Sequence, residues 1–93
     1  MGKVKVKFYG VLVESAKHQK ETQMGAANVR ELLSRLSDAY GDSFKQKVLG
    51  ADGEPQPFVN VFVNNVDIRH LKNAETSLNE GDEVLIIPAV AGG

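Results

Sequence analysis

Gly92 and Gly93 end the sequence, and their types and order allow chemistry more directly than any other residues in it. Lacking Cβ atoms, they can thread a narrow cleft in nearly any backbone conformation, and nothing branches beside the Gly93 carboxylate to obstruct attack at its carbonyl carbon. The pair therefore presents a carboxyl group on a thin, flexible stalk. A free α-carboxylate has a pKa of about 3.5 and is ionised at neutral pH, so it does not react with nucleophiles unaided. The bland alternative is a frayed end of small residues, which is common at termini.

Other candidate constellations are weaker. His18 and His70 stand alone, with no cysteine and no cluster at ligand spacing, so no metal site is expected. Glu14, Ser15 and His18 hold the letters of a hydrolytic triad, but a polar loop supplies neither an oriented base nor an oxyanion site. Gly50 and Gly53 lack the basic residue and following helix of a phosphate loop and read as turn glycines. Glu80, Asp82 and Glu83 flank a turn glycine without filling a calcium-loop pattern.

Composition narrows the function classes. A chain of 93 residues with 42% apolar and 25% charged side chains is one ordinary globular domain, too small to enclose a deep enzyme pocket without sacrificing its core. Without cysteine it has no disulfide, thiolate ligand or thiol nucleophile. Eleven basic against twelve acidic side chains argue against nucleic-acid binding through bulk charge. No apolar run approaches a membrane span, and lysine alternates with valine where a secretory signal needs a continuous apolar stretch, so the cytoplasm is the expected location.

The elements that must position the tail follow from periodicity. Val4, Val6 and Phe8 alternate with Lys3, Lys5 and Lys7, a strand with one buried face and one solvated lysine row. Residues 9–13 are apolar, residues 14–20 read as a loop, and residues 21–24 as a second strand closing a hairpin. Asn28 and Glu31 have the spacing of a capping box. Behind them Val29, Leu32, Leu33, Leu36 and Tyr40 form one buried helical stripe, with Arg30, Ser34, Arg35, Ser37 and Asp38 facing away. Gly41 suits the helix C-cap in a left-handed conformation.

Residues 43–49 could add another helical turn with Phe44, Val48 and Leu49 inward, and residues 50–57 read as turns. Residues 58–63 form a buried strand, central in the sheet, with Phe58 and Phe62 on one face and Val59, Val61 and Val63 on the other. Asn64-Asn65 supplies a tight hairpin turn, residues 66–69 the returning strand, Glu80-Gly81-Asp82 a further turn, and residues 83–88 the last strand, which Pro88 ends. The fold class is therefore α+β, a mixed sheet of about four to five strands covered on one face by one main helix. Residues 1–88 make the domain and residues 89–93 a flexible tail.

Together, the valine-rich first strand, the amphipathic helix, the Val63-Asn64-Asn65-Val66-Asp67-Ile68-Arg69 hairpin, the Leu78-Asn79-Glu80-Gly81-Asp82-Glu83-Val84 turn and Pro88-Ala89-Val90-Ala91-Gly92-Gly93 resemble the MoaD/ThiS sulfur carriers of the ubiquitin-like β-grasp superfamily. The pattern is most similar to the small subunit of molybdopterin synthase, with Asn65 where glycine is usual and Ala89 where a second proline is usual. The resemblance implies a non-catalytic carrier. An adenylating enzyme of the ubiquitin-activating type, using ATP and magnesium, would join Gly93 to AMP, and a sulfur donor would then displace AMP to leave a C-terminal thiocarboxylate. Pro88, Ala89, Val90, Ala91 and Gly92 would thread the partner's channel, and the sheet face near Phe62 with the last strand would dock in turn on the adenylating enzyme and on the acceptor, the molybdopterin synthase large subunit. No bound cofactor, metal, nucleic acid or membrane is expected. Carriers for thiazole or cysteine synthesis, a ubiquitin-like modifier joined to lysines, and a passive β-grasp interaction module are the alternatives.

Overall fold

The computed structural model describes residues 2–88; the expected tail residues Ala89, Val90, Ala91, Gly92 and Gly93 lie outside the described residues. Five strands form one mixed sheet: β1 (Lys3–Phe8), β2 (Glu21–Gly25), β3 (Val59–Val63), β4 (Val66–Asp67) and β5 (Glu83–Pro88), in the spatial order β2-β1-β5-β3-β4. Three helices, α1 (Val11–Ser15), α2 (Val29–Tyr40) and α3 (Asp42–Val48), accompany it. This is the expected α+β, ubiquitin-like β-grasp.

The alternation in β1 works as its periodicity predicts: Val4, Val6 and Phe8 are buried while Lys3 and Lys5 are exposed. The stripe of α2 buries Val29, Leu32, Leu33 and Leu36, and Tyr40 packs at its end. Phe8 meets Tyr40 and Phe44 edge-on, with ring centroids 5.7 and 5.6 Å away, which joins the end of β1 to both α2 and α3. The Asn28 side chain accepts the Glu31 N–H at 2.8 Å. Glu31 reaches back to the Ala27 N–H, one residue before the cap, so the box is offset by one donor.

Several expectations are corrected. The segment expected to be an apolar run and a polar loop contains α1, because one helical turn brings Leu12 and Ala16 onto the same buried side. Ser37 is buried within the stripe, and its hydroxyl donates to the Leu33 carbonyl at 2.8 Å. Gly41 has the positive φ expected of a C-cap, at 98°, but an extended ψ of −174°, which lets it end α2 and begin α3. Phe58 precedes β3 and is 48% exposed. The returning strand is only two residues long: Asp67 Oδ1 accepts the Arg69 N–H at 2.9 Å and turns the chain into a 3₁₀ segment at Ile68–His70, which buries Ile68. The central strand is β5, parallel to β1 and antiparallel to β3, so β3 stands one position off centre. No helix among the described residues is long and apolar enough to cross a membrane.

Candidate functional site

Pro88, the described residue nearest the expected chemistry, is the last of β5 and pairs opposite Val59. Because β5 occupies the middle of the sheet, its last residue lies between β1 and β3 and away from both sheet edges. Proline carries no N–H, so ladder pairing ends there without an orphaned donor. Gly10 lies over it: a Cβ at Gly10 would stand 3.0 Å from Pro88 Cγ. Gly10 also has φ 60° and ψ −138°, a region essentially restricted to glycine. The backbone shape favours glycine at this position, and a Cβ there would also press on the Pro88 ring.

The opposite end of β5 is tied by polar contacts. Asn64 and Asn65 adopt φ of 52° and 71°, as the hairpin reading requires. The Asn64 side chain donates to Asp82 Oδ1 at 3.0 Å and accepts the Glu83 N–H at 3.0 Å, while its own N–H donates to the Glu83 carbonyl at 2.8 Å. The Lys5 N–H donates to the Asp82 carbonyl at 2.9 Å and the Gly81 N–H to the Lys3 carbonyl at 3.0 Å. Carboxylates that could have suggested calcium are used structurally: Asp82 Oδ2 accepts the Asn79 N–H, Glu80 accepts the Lys3 N–H, and Glu83 pairs with Lys7 at 3.3 Å.

The sheet face turned away from the helices is open. Register places Leu85 and Ile87 of β5 beside Phe62 and Asn60 of β3, with Lys5 and Lys7 on one flank and Asp67 on the other. Leu85, Ile87 and Phe62 are half-buried. Arg69 spans the far flank, donating to Asp67 Oδ2 and Asn60 Oδ1, each at 2.7 Å. Chiefly through the Arg69 side-chain hydrogen bonds, the Asp67 carboxyl is lowered from its ordinary 3.8 to about 2.

Nothing among the described residues assembles a catalytic centre. Ser15 Oγ is turned to the Val11 carbonyl at 3.4 Å. No group of three or more His, Cys, Asp or Glu side chains there is placed to hold a metal ion. A cavity of about 240 Å³ beside β3 is lined by Glu54, Asp67 and Arg69 among others, but Glu54 is paired with Arg30 and Asp67 with Arg69. What the arrangement can do is present a chain end from a rigid platform. The open face near Phe62 was legible from strand alternation. The packing of Gly10 on Pro88 was not, although a lone glycine interrupting the apolar run of residues 9–13 was a signal.

Comparison with known proteins agrees with this geometry. The model of the ThiS family matches residues 6–93. A relative from Archaeoglobus fulgidus, named as a candidate sulfur carrier protein, is 43% identical over 65 residues, 70% of this chain and 73% of its own. The sulfur carrier protein CysO of Mycobacterium tuberculosis is 34% identical over 76 residues, 81% of this chain and 82% of its own. Among solved structures, small archaeal modifier protein 1 from Methanosarcina acetivorans superposes with a TM-score of 0.84 at 32% identity, covering 100% of this chain and 98% of that one. A Pyrococcus furiosus chain, titled a candidate subunit 1 of molybdopterin converting factor, gives 0.77 at 26% identity, covering 97% of this chain and 100% of its own.

Proposed function

The chain belongs to the ThiS family of small ubiquitin-like sulfur carriers, and from that premise we propose that its Gly93 carboxylate is the group loaded with sulfur and that the acceptor pathway is molybdopterin synthesis. The observation that carries this reading is that the family match runs through residue 93, so the terminal diglycine falls within the matched region. The Pyrococcus furiosus likeness and the Gly81-Asp82-Glu83-Val84 turn favour the molybdopterin pathway.

In the first step a carboxylate oxygen of Gly93 attacks the α-phosphorus of ATP in the partner's site, forming the acyl adenylate and releasing pyrophosphate. Magnesium, carried by that partner, offsets the phosphate charge. A sulfur donor then attacks the carbonyl carbon, the C–O bond to AMP breaks, and the thiocarboxylate forms. Its sulfur is a nucleophile that the molybdopterin synthase large subunit would direct at a pterin precursor, and hydrolysis would return the carboxylate. This chain supplies a delivery group and a docking surface; proton transfers and positioning belong to the enzymes. Val90 would be the small apolar anchor in the channel, with Gly92 providing clearance. The half-buried Leu85, Ile87 and Phe62 would seat the open face on the large subunit.

The likeness to a small archaeal modifier protein supports a second use of the same activated carbonyl, transfer to a protein lysine through an isopeptide bond. The two readings separate by product. Incubation with the organism's adenylating enzyme, ATP, magnesium and sulfide is expected to raise the intact mass by the exchange of one oxygen for sulfur. A variant lacking Gly92 and Gly93 should melt normally and gain nothing. Equal loading of both forms, or protein conjugates in place of a sulfur-loaded carrier, would count against the carrier reading.

A further inference from the structure

Five large apolar side chains are well exposed among the described residues, and three of them gather where β5 ends: Tyr9 at 41%, Val11 at 52% and Phe58 at 48%. The fold brings them there from two separate parts of the sequence. Gly10, packed on Pro88, is flanked in the chain by Tyr9 and Val11, and Val59, paired with Pro88, is preceded by Phe58. The strand partner of Pro88 and the glycine packed on its ring therefore each adjoin exposed apolar residues in the chain. The other end of the same strand is finished with Asn64, Asp82 and Glu83; Val66, in the hairpin beside it, is 42% exposed, and Leu71, at 44%, stands with Thr76 and Ser77.

We propose that Tyr9, Val11 and Phe58 form an apolar rim that seats against the mouth of the adenylating enzyme's channel. The proposal rests on the sulfur-carrier reading, which makes Gly93 the reacting residue. Its physical basis is reach. Five residues follow Pro88, and even fully extended they span at most about 18 Å. An enzyme that encloses the Gly93 carbonyl must therefore bring its own surface to the end of β5, where the rim stands. The expected occupant is an apolar protein collar around a narrow channel. Gly10 contributes by keeping the centre of the rim low, since any larger residue there would meet Pro88. Burying exposed apolar surface around a threaded tail would select this chain before activation and would favour binding more than chemistry.

Adenylation of the full chain by the organism's own activating enzyme, followed by ATP–pyrophosphate exchange, tests this. Val11→Glu and Phe58→Glu are each expected to raise KM for the carrier about tenfold with kcat within about twofold, a loss typical of a buried interface anchor. Val11→Ser and Phe58→Ser, which remove apolar area without adding charge, should move KM in the same direction by less. Val66→Glu, at the opposite end of the sheet, should leave both constants unchanged. Thermal unfolding of each variant checks that the fold persists. Wild-type KM in the rim variants, or an equal rise in Val66→Glu, would overturn the rim. So would a shift from dimer to monomer in sedimentation with KM unaltered, which would make the rim a contact between copies. Absence of exchange with the unaltered chain would instead overturn the carrier reading and the rim with it.

Discussion

The two ends of β5 are built from opposite chemistry. At its start, Asn64 alone makes three hydrogen bonds to Asp82 and Glu83, and the turn at Gly81 is further tied to Lys3 and Lys5. At its finish stands a proline without an N–H, packed against a glycine, with the exposed Tyr9, Val11 and Phe58 next in the chain to its neighbours Gly10 and Val59. One end holds the strand in register; the other is the proposed docking end. The contrast suits the proposed function: a domain with no catalytic cluster among its described residues would hold the last strand firmly and leave reactivity to another protein.

The finishing end is exposed only on its outer side. Beneath it Phe8, Tyr40 and Phe44 form an aromatic floor, with Phe44 fully buried. Phe44→Ala is expected to destabilise the domain by about 4 kcal/mol, measured by denaturant unfolding. A loss below about 1 kcal/mol would mean that the platform under the exit is soft and would break the comparison. At the pinned end, Asn64→Ala removes two side-chain hydrogen bonds and forces a Cβ residue less tolerant of φ 52°. Together these should cost about 2 kcal/mol. An unchanged midpoint would show that the hairpin contacts do not fix the strand.

The smallest effect belongs to the flank of the open face. Asp67 is lowered to about 2 by Arg69, so its contribution is present above the ordinary value of 3.8 and is lost as pH falls through about 2. Because Arg69 is largely exposed, solvent screening reduces the gain to about 1 kcal/mol. Asp67→Asn should be less stable than the parent by that amount at pH 7, with the difference closing between about pH 4 and pH 2. A difference that persists unchanged at pH 2 would assign the effect to something other than this ion pair.

Most of the platform could be read from local pattern. Leucines at helical spacing behind Asn28 specify α2, alternation in residues 3–8 specifies β1, and the Asn64-Asn65 pair specifies its hairpin. Features set by distant partners could not be read. Helix α1 is five residues long, too short to display a period, and it exists because Leu12 and Ala16 find room in the core. The centrality of β5 depends on parallel pairing with a strand 78 residues earlier, between Lys5 and Glu83 at one point and Phe8 and Ile86 at another. Ser37 looks polar in sequence, yet its hydroxyl is satisfied by its own helix and can be buried. The diglycine is the reverse case: residue type suggests its chemistry and the fold adds nothing to it, whereas the proposed rim required the fold to bring the segments of Tyr9, Val11 and Phe58 to one end of β5.

The central claim concerns one carbonyl group. After loading with the activating enzyme, ATP, magnesium and sulfide, fragmentation mass spectrometry of the C-terminal peptide locates any added sulfur. Sulfur carried on Gly93, with all other residues at their unmodified masses, is the predicted result; an unmodified Gly93 in a chain that has been fully exposed to the competent activating system would contradict it.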